Sequence, residues 1–238
     1  MKKRTKKISE IKANDCSSWS SNVFLTFDTD WVKDFILEET VKILDTFGLY
    51  ATFFTTGKSD LIKDIGCCPK FEVGIHPNFN PLLFETKKTD TAVDIIAAMR
   101  EDFPEAISVR SHSLTHNERL LDLFFEHELK NICNQFLPLS ENIELHPFFL
   151  WDDLQLIPHR FQDNVQLKTC LPKPIDLISS NGLLVFNFHP IHLYLNTFSL
   201  KHYEDAKPFY HDKKSLSQHR YEGNGLRTEF IKLCERLS

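Results

Sequence analysis

Ionisable side chains follow four short apolar stretches of this sequence, at the point where each stretch ends. Each stretch has the length and composition of a buried β-strand, and polar residues close it. In parallel β/α architectures the carboxyl ends of the strands build the active site. We therefore expect one site to contain the side chains at these four ends: Asp28 and Asp30, His76, Arg110 and His112, and His189.

Asp28 and Asp30 are separated by one residue at the end of the first stretch. Positions i and i+2 of an extended chain point to the same side, so the two carboxylates would lie close together. Two neighbouring negative charges repel, which raises the pKa of one of them unless a cation intervenes. A divalent metal resolves this conflict if one carboxylate binds it and the other stays free as a base. The alternative is that one of the two caps the following helix, a position that Asp favours.

His76 and His112 would add two imidazole nitrogens to this carboxylate. One carboxylate with two imidazole ligands leaves open positions for water, as in catalytic zinc sites. A metal in such a site lowers the pKa of water and polarises a carbonyl oxygen. We expect zinc, with cobalt, manganese and nickel as the other candidates. His116 lies four residues after His112, and we expect it to cap a helix or to face solvent.

The elements that would position these residues alternate between strands and helices. Apolar runs predict the strands, and apolar residues at helical spacing predict the helices between them. The predicted strands are 22–27, 50–55, 71–75, 106–109, 131–137, 154–160 and 182–188, and the predicted helices are 38–47, 60–65, 91–100, 117–126 and 225–237. This alternation predicts an α/β protein with a parallel sheet or barrel.

The chain reads as a single domain with a short lead-in. Residues 1–21 are predicted to form an N-terminal tail or lead-in, and residues 22–238 the catalytic domain. The stretch 141–178 is long and irregular. In a barrel such an insertion usually covers the active-site face.

The composition excludes several classes of function. The chain has 238 residues and a formal net charge of −5, which does not fit a nucleic-acid binder. No stretch of the sequence has the roughly 20 apolar residues that a membrane-spanning helix needs. Residues 8–21 are too polar for a secretory signal, and the six cysteines form no C-x-x-C pair. We therefore expect a cytoplasmic protein with free thiols.

Several of these motifs, in this order, resemble those of the polysaccharide deacetylases, the NodB-homology family. Thr26-Phe-Asp-Thr-Asp30 resembles the family's opening T-F-D-D/T-D motif, in which the first Asp is the catalytic base and the second a metal ligand. Phe71-Glu-Val-Gly-Ile-His76 is similar to the E-I-G-x-H strand, whose His binds the metal. The strand-end Arg that orients the base matches Val109-Arg110, and the strand that carries the catalytic acid matches Phe186-Asn-Phe-His189.

The closer resemblance is to the WbmS-like branch of this family. Its signatures D-T-D-W, G-I-H-P-N-F, R-S-H-S and F-N-F-H-P-I-H occur here at residues 28–31, 74–79, 110–113 and 186–192, and a glycine-rich stretch follows at 223–228. The resemblance implies a distorted (β/α)7-type barrel that hydrolyses a C–N bond. The expected reaction is deacetylation of an acetamido sugar in a surface polysaccharide or a nucleotide-sugar precursor.

One position departs from the wider family, which uses an H-x-x-x-H motif with both His as metal ligands. Asn80 stands here in place of the second His, and an amide oxygen is a poorer ligand for zinc than imidazole. His112 is therefore the expected third ligand, and Asn80 and His116 remain the alternatives.

The resemblance implies a role for each of the clustered residues. Asp28 would take a proton from water, Arg110 would pair with Asp28 and keep it ionised, and protonated His189 would give a proton to the leaving amine. The metal would be held by Asp30, His76 and His112.

For contacts with the substrate we select four further residues. Trp151 and Asp153 lie in the irregular stretch, which also carries Asp163, and aromatic and acidic side chains suit stacking against a sugar and hydrogen bonding to it. Asn78 and Asn80 follow the strand that ends at His76. The expected partner is thus a small molecule or carbohydrate, and the sequence does not indicate an oligomeric state.

Three other functions remain open at this point. A hydrolase on the same fold could act on a cyclic amide or ureide. A glycosidase could use two carboxylates without a metal, for example Asp28 with Asp153. A catalytically inactive relative could bind sugar without turnover.

Overall fold

One curled β-sheet organises the chain. The computed structural model describes residues 3–84, 90–138, 143–151, 153–169 and 172–238. Among these residues the strands are β1 (Arg4–Thr5), β2 (Asn22–Asp28), β3 (Ala51–Thr55), β4 (Phe71–Ile75), β5 (Ser108–Val109), β6 (Asn131–Ile132), β7 (Phe148–Trp151), β8 (Leu154–Leu156), β9 (Phe161–Gln162) and β10 (Leu184–Phe188).

Helices connect most of these strands. They are α1 (Asp34–Phe47), α2 (Asp60–Cys67), α3 (Asn80–Phe84), α4 (Ala92–Asp102), α5 (Glu118–Glu126), α6 (Asp163–Gln166), α7 (Pro174–Leu177), α8 (Pro190–Leu195), α9 (Leu200–Ala206), α10 (Lys213–Gln218) and α11 (Leu226–Leu237). Short 3-10 helices lie at Ile8–Glu10, Cys16–Ser18, His112–Leu114 and Lys207–Phe209.

The strand order explains how the site is assembled. Across the sheet the strands follow the order β7-β8-β6-β5-β4-β3-β2-β10-β9, and β1 pairs with β2 beside this path. In the described sheet every pair is parallel except β7 with β8. The carboxyl ends of β2, β4, β5 and β10 therefore lie at the same edge of the sheet.

The two ends of the curled sheet are joined through one chain segment, residues 154–162. Its first part, β8, pairs with β6, and its last part, β9, pairs with β10. Between them, Leu137 donates its backbone N–H to the His159 carbonyl oxygen, and His159 donates to the Gln135 carbonyl oxygen, both at 2.9 Å. The described strands thus form a curled, half-barrel sheet in which segment 154–162 contacts both β6 and β10.

Alternation along β2 separates an outer apolar layer from the interior of the barrel. Val23, Leu25 and Phe27 face outward and pack in one cluster with side chains of α1, α2 and α11. Phe24 faces inward and packs with Phe54 of β3 and with residues of the N-terminal segment. Position 26 points the same way as Phe24, towards the interior, and is also fully buried.

The N-terminal segment closes the amino end of the barrel. Arg4–Thr5 pair with β2, and Ile8, Ile11 and Trp19 are buried. The described part of the predicted tail or lead-in, residues 3–21, is therefore packed against the sheet and is not a solvated tail. The sequence does not show this, because three isolated apolar residues among Lys, Ser and Asn have no strand or helix period.

Beneath this segment, polar side chains of five strands form a continuous chain of hydrogen bonds. Ser108 Oγ and Thr52 Oγ1 donate to Glu72, at 2.5 and 2.9 Å, and the backbone N–H of Ser9 donates to the same carboxylate at 2.9 Å. Asn131 donates to Ser108, and Gln155 donates to Asn131. We call these residues the amino-end polar row: Thr52, Glu72, Ser108, Asn131 and Gln155.

The stretch 141–178 is more regular than predicted. Its described residues include β7, β8, β9, α6 and α7, and two of these strands belong to the parallel sheet. These strands are only two to four residues long and depend on long-range pairing, so local sequence pattern marks them poorly.

The predicted fold class is confirmed: the chain forms a single α/β domain around a curled sheet. Among the described residues, no helix is long and apolar enough to cross a membrane.

Candidate active site

The strand ends bring the predicted ionisable residues together. Asp28 is the last residue of β2, and His76, Arg110 and His189 directly follow β4, β5 and β10. A cavity of about 380 Å³ opens at this edge. Its lining includes Asp28, Asp30, His76, His112 and His189.

Three potential metal-ligand atoms converge in this cavity. Asp30 Oδ1 lies 3.1 Å from His112 Nδ1 and 3.4 Å from His76 Nε2. The two imidazole nitrogens lie 3.4 Å from each other. Asp30, His76 and His112 are thus the carboxylate and two imidazoles that the sequence analysis selected for a divalent metal.

Backbone contacts hold these three residues at the strand ends. His76 donates its backbone N–H to Thr55 O at 2.8 Å, which extends the pairing of β4 with β3 by one residue. Asp30 has a left-handed backbone (φ 46°), and its carbonyl oxygen accepts a hydrogen bond from the Thr56 hydroxyl. His112 donates its backbone N–H to Pro77 O at 2.9 Å.

The Asp28 carboxylate is held by an arginine and an amide. Arg110 Nη1 donates to Asp28 Oδ1 at 3.0 Å, and Asn187 Nδ2 donates to Asp28 Oδ2 at 2.7 Å. Arg110 itself is fully buried, with Nη1 also donating to Thr26 and Asn187, and its guanidinium lies 4.4 Å from the centre of the Phe54 ring. These contacts fix the orientation of the Asp28 carboxylate at the cavity wall.

The charges around Asp28 and Asp30 keep both carboxylates ionised. Burial raises the pKa of Asp28, but the positive charge of Arg110, with contributions from His76 and His189, outweighs it and lowers the pKa. Burial likewise raises the pKa of Asp30, and its hydrogen bonds with His112 and His76 more than reverse this shift. An ionised Asp28 can accept a proton, and an ionised Asp30 can bind a cation.

His189 has the opposite environment. Burial lowers its pKa, but Asp163, through its charge and a 2.6 Å contact between Oδ1 and His189 Nδ1, raises the pKa of His189 to about 10. Asp163 Oδ2 also accepts the backbone N–H of His189 at 2.7 Å. His189 is therefore protonated at neutral pH, as a proton donor must be.

Asp163 and Asn187 are functional residues whose roles the sequence analysis missed. Asn187 lies two residues before His189 on β10, so strand alternation already places both side chains on the inner face. Asp163 was considered only as a sugar contact. It is the first residue of α6, 26 residues before His189, and no spacing in the sequence links the two.

The structure does not bring two of the predicted substrate residues to the cavity. Trp151 and Asp153 lie at the start of β8, whereas the cavity lies at the carboxyl ends of the parallel strands. Trp151 packs against the apolar cluster beneath α4 and α5, and Asp153 is exposed. The same separation argues against Asp28 and Asp153 as a glycosidase pair, because the two carboxylates are at opposite ends of the barrel.

The other three candidates, Asn78, Asn80 and His116, do not line the cavity either, although Asn80 contacts a residue that does. Asn80 Nδ2 donates to Ser113 Oγ at 3.1 Å, directly after His112, and its backbone N–H donates to Asn78 Oδ1. His116 contacts the Leu114 carbonyl oxygen through Nδ1 at 3.0 Å and is not part of the converging group. Of the three alternatives for the third ligand, the structure thus places His112 beside Asp30 and His76.

A model of the WbmS-like polysaccharide deacetylases matches residues 25–207. The chain belongs to this family. Membership supports amide hydrolysis of the deacetylation type as the class of reaction. A comparison with curated proteins gave no match.

One solved structure supports this assignment. WbmS from Bordetella bronchiseptica, a protein assigned to the polysaccharide deacetylases and to O-antigen biosynthesis, superposes with a TM-score of 0.94 and 35% identity over 99% of this chain and 98% of that chain. More distant are a family 4 carbohydrate esterase from Streptomyces lividans in complex with acetate (TM-score 0.46, 14% identity, 90% and 88% coverage) and the peptidoglycan deacetylase PdaC from Bacillus subtilis (TM-score 0.45, 15% identity, 95% and 87% coverage).

A second group of potential ligand atoms lies beside the cavity of this WbmS-like chain. Asp163, His189 and His192 contribute atoms that lie within 4.8 Å of one another. Asp163 Oδ1 and His189 Nδ1 already pair with each other at 2.6 Å. His192 is buried, and burial lowers its pKa to about 4, so it is neutral beside the His189 cation. The donor set of Asp30, His76 and His112 fits a metal better, because all three residues line the cavity, whereas Asp163 is fully buried and does not line it.

Proposed function

We propose that this chain is a metal-dependent deacetylase that hydrolyses the acetamido group of a sugar in a polysaccharide or its nucleotide-sugar precursor. One observation carries the proposal: three potential metal ligands, an ionised carboxylate and a protonated imidazole line the same cavity. The similarity to a protein assigned to O-antigen biosynthesis supports a carbohydrate substrate.

Asp30, His76 and His112 would hold the metal, and zinc is the ion that this donor set favours. When bound, a divalent cation supplies positive charge that lowers the pKa of water and polarises the acyl oxygen. The remaining chemistry belongs to side chains of the protein.

Asp28 acts as the base. It takes a proton from the water molecule that attacks the acyl carbon, and its orientation is fixed by Arg110 and Asn187. Because the positive charge of Arg110 lowers the pKa of Asp28, Asp28 is ionised at neutral pH before each turnover.

His189 acts as the acid. When the C–N bond breaks, the electron pair goes to nitrogen, and His189 gives that nitrogen its proton, so the products are a carboxylate and an amine. Asp163 holds the imidazolium in place and stabilises its charge. His189 Nε2 and Asp28 Oδ2 lie 3.9 Å apart, so the proton gained by Asp28 is released beside the group that must be reprotonated.

The first test is the metal content of purified protein, measured by elemental analysis. We expect about one equivalent per chain in the wild type and a large loss in His76→Ala and in Asp30→Asn. The matched control is His116→Ala, which removes a neighbouring imidazole outside the converging group and should keep the metal. Wild-type protein that stays metal-free after incubation with zinc, cobalt, manganese and nickel would contradict the proposal.

The second test is acetate release from N-acetylated sugars. Asp28→Asn should retain the metal but lose activity by roughly a thousandfold or more, because the base is absent while the ligands remain. Activity that survives in Asp28→Asn would contradict the role of the base. Wild-type turnover that persists after chelation would contradict metal dependence.

A further inference from the structure

One large aromatic side chain stands exposed beside the cavity. Trp31 is 57% exposed, and its indole meets the His112 imidazole edge to face, with ring centroids 4.9 Å apart and planes at 68°. Single exposed apolar side chains are common on protein surfaces, so exposure alone carries no argument. The position of Trp31 against a candidate metal ligand is what distinguishes it.

The turn that carries Trp31 is fixed on both sides. Val32 donates its backbone N–H to Thr29 O at 3.2 Å, and its side chain packs against the core. On the other side, the Asp30 carboxylate contacts His76 and its carbonyl oxygen accepts the Thr56 hydroxyl. The backbone on both sides of Trp31 is therefore held in place, with the indole exposed. A rigid aromatic surface of this kind loses little conformational entropy when a ligand binds.

Trp31 also lines a second cavity next to the candidate site. Asp30 lines both cavities: the 380 Å³ cavity of the candidate site and a second, open cavity of about 840 Å³ that Trp31 and Thr56 also line. The first volume is at the lower end of the range for ligand sites and suits a single ring with its acyl group. A ligand that extends past Asp30 from the first cavity into the second therefore enters a space that has the indole in its wall.

The charges of the second cavity are mixed. Lys33 and Lys58 line it together with Asp34, and Lys58 is paired with Asp102 at 2.5 Å. A diphosphate would need a cavity wall that carries positive charge alone. An uncharged sugar ring with hydroxyl groups fits a cavity wall that carries both positive and negative charges. The wall chemistry therefore favours a sugar over a nucleotide in this position.

We propose that Trp31 is a stacking platform for a second pyranose ring, so that the substrate is an oligosaccharide of at least two rings with the acylated ring in the smaller cavity. The C–H face of a pyranose is apolar and buries against an indole as other apolar surfaces do. This inference rests on the proposed function, since it assumes that the smaller cavity receives the acylated sugar.

The test compares the binding of N-acetylglucosamine and its β-1,4-linked disaccharide to full-length, zinc-loaded protein by calorimetry. In the wild type the disaccharide should bind about tenfold more tightly than the monosaccharide. Trp31→Ala should abolish this difference and change the monosaccharide Kd by less than about twofold, and Trp31→Phe should retain most of it. In turnover, Trp31→Ala should raise KM for the disaccharide by a larger factor than KM for the monosaccharide.

Phe125→Ala is the matched control, because Phe125 is an exposed aromatic (43%) on α5, outside the lining of both cavities. Equal weakening of both sugars in Trp31→Ala, no effect on either, or no binding of either sugar to the wild type would overturn the inference. Tighter, Trp31-dependent binding of a uridine diphosphate sugar would overturn it in favour of base stacking. Sugar binding that depends on Trp31 without any acetate release would support the platform while contradicting the proposed function.

Discussion

The surroundings of Asp28 and His189 shift the pKa values of these two side chains in opposite directions. Arg110 lowers the pKa of Asp28, and Asp163 raises the pKa of His189 to about 10. The base is therefore free of its proton and the acid carries one at the same pH. In each case one buried partner, Arg110 or Asp163, makes the largest contribution that opposes the effect of burial, so each shift can be tested by changing that partner.

Asp163→Asn should move the alkaline limb of the kcat/KM profile. A proton donor loses activity as pH rises through its pKa, so the wild-type limb is expected near pH 10. Without the Asp163 charge, burial lowers the pKa of His189, and the limb should shift to lower pH by about one unit or more. The measurement is kcat/KM for acetate release from pH 5 to about pH 11.

The control for this prediction is Asp205→Asn, which removes an exposed carboxylate paired with Lys201 on α9. Its profile should coincide with that of the wild type. An unchanged alkaline limb in Asp163→Asn would show that Asp163 does not set the protonation of His189.

At the scale of single residues, the sequence predicted the members of the candidate site that lie at the ends of strands. Asp28, His76, Arg110 and His189 could be placed together because parallel strands end at one edge. Asp163 could not be assigned, because its partnership with His189 arises from the path of the chain between β9 and β10. Only three-dimensional placement relates two residues in such a connection.

At Gly74, strand β4 packs closely against its two neighbouring strands. A Cβ atom on Gly74 would lie 2.7 Å from Ser108 O and 2.8 Å from the Phe54 ring. The same ring lies under the Arg110 guanidinium, and His76 follows two residues later. Crowding at Gly74 therefore acts on a metal ligand and on the partner of the base at the same time.

Gly74→Ala should destabilise the fold by about 1–3 kcal/mol or more and weaken metal binding, because backbone must move to admit the methyl group. Urea denaturation and metal titration would measure the two effects. Gly66→Ala is the matched control on α2, where the added Cβ would meet only Val73 at 3.7 Å. It should stabilise the helix by up to about 1 kcal/mol. Equal stability of the two variants would contradict the packing argument.

The amino-end polar row leads to a second prediction at the scale of the secondary structure elements. Glu72 accepts from Thr52, Ser108 and Ser9, so its carboxylate joins two neighbouring strands to the N-terminal segment. Glu72→Gln would replace hydrogen bonds to a charged acceptor with weaker ones to a neutral amide, and it would force a neighbouring hydroxyl to turn and accept; this should cost about 1–3 kcal/mol of unfolding free energy.

Thermal and urea unfolding would measure this loss, with Glu105→Gln as the control because Glu105 is exposed. A Glu72→Gln protein as stable as the wild type would show that the row does not hold the N-terminal segment. The sequence predicted β4 itself but not this role of Glu72, since the donors come from positions 9, 52 and 108.

At the scale of the whole molecule, metal binding should stabilise the native state. The three candidate ligands come from the ends of β2, β4 and β5, so a bound ion would tie three strands together. Zinc at about 100 times its Kd should add roughly 2.7 kcal/mol of stability, and a chelator should remove it. Thermal unfolding of wild type and His76→Ala, each with zinc and with chelator, measures the effect. A zinc-dependent rise in Tm that persists in His76→Ala would place the ion elsewhere.

The central strands of the sheet could be predicted from the sequence, whereas the N-terminal segment and the segment that joins the two ends of the sheet could not. Long apolar runs in the sequence predict strands such as β2 and β10 directly, because a strand that is buried on both faces is apolar along most of its length. The packing of the N-terminal segment and the division of residues 154–162 between β6 and β10 depend on surfaces that exist only once the sheet has curled.

The pairing of β10 with β2 has a consequence during synthesis on the ribosome. Val23 pairs with Leu184, and Phe27 with Phe188. During synthesis, β2 therefore cannot pair with β10 until about 160 further residues have been made. At 5–20 residues per second this delay is on the order of ten seconds. Throughout it the nascent chain presents one unpaired, apolar strand edge, which is the kind of surface that general chaperones bind. We expect yield in a cell to respond to chaperone supply more than to small changes in the stability of the finished fold.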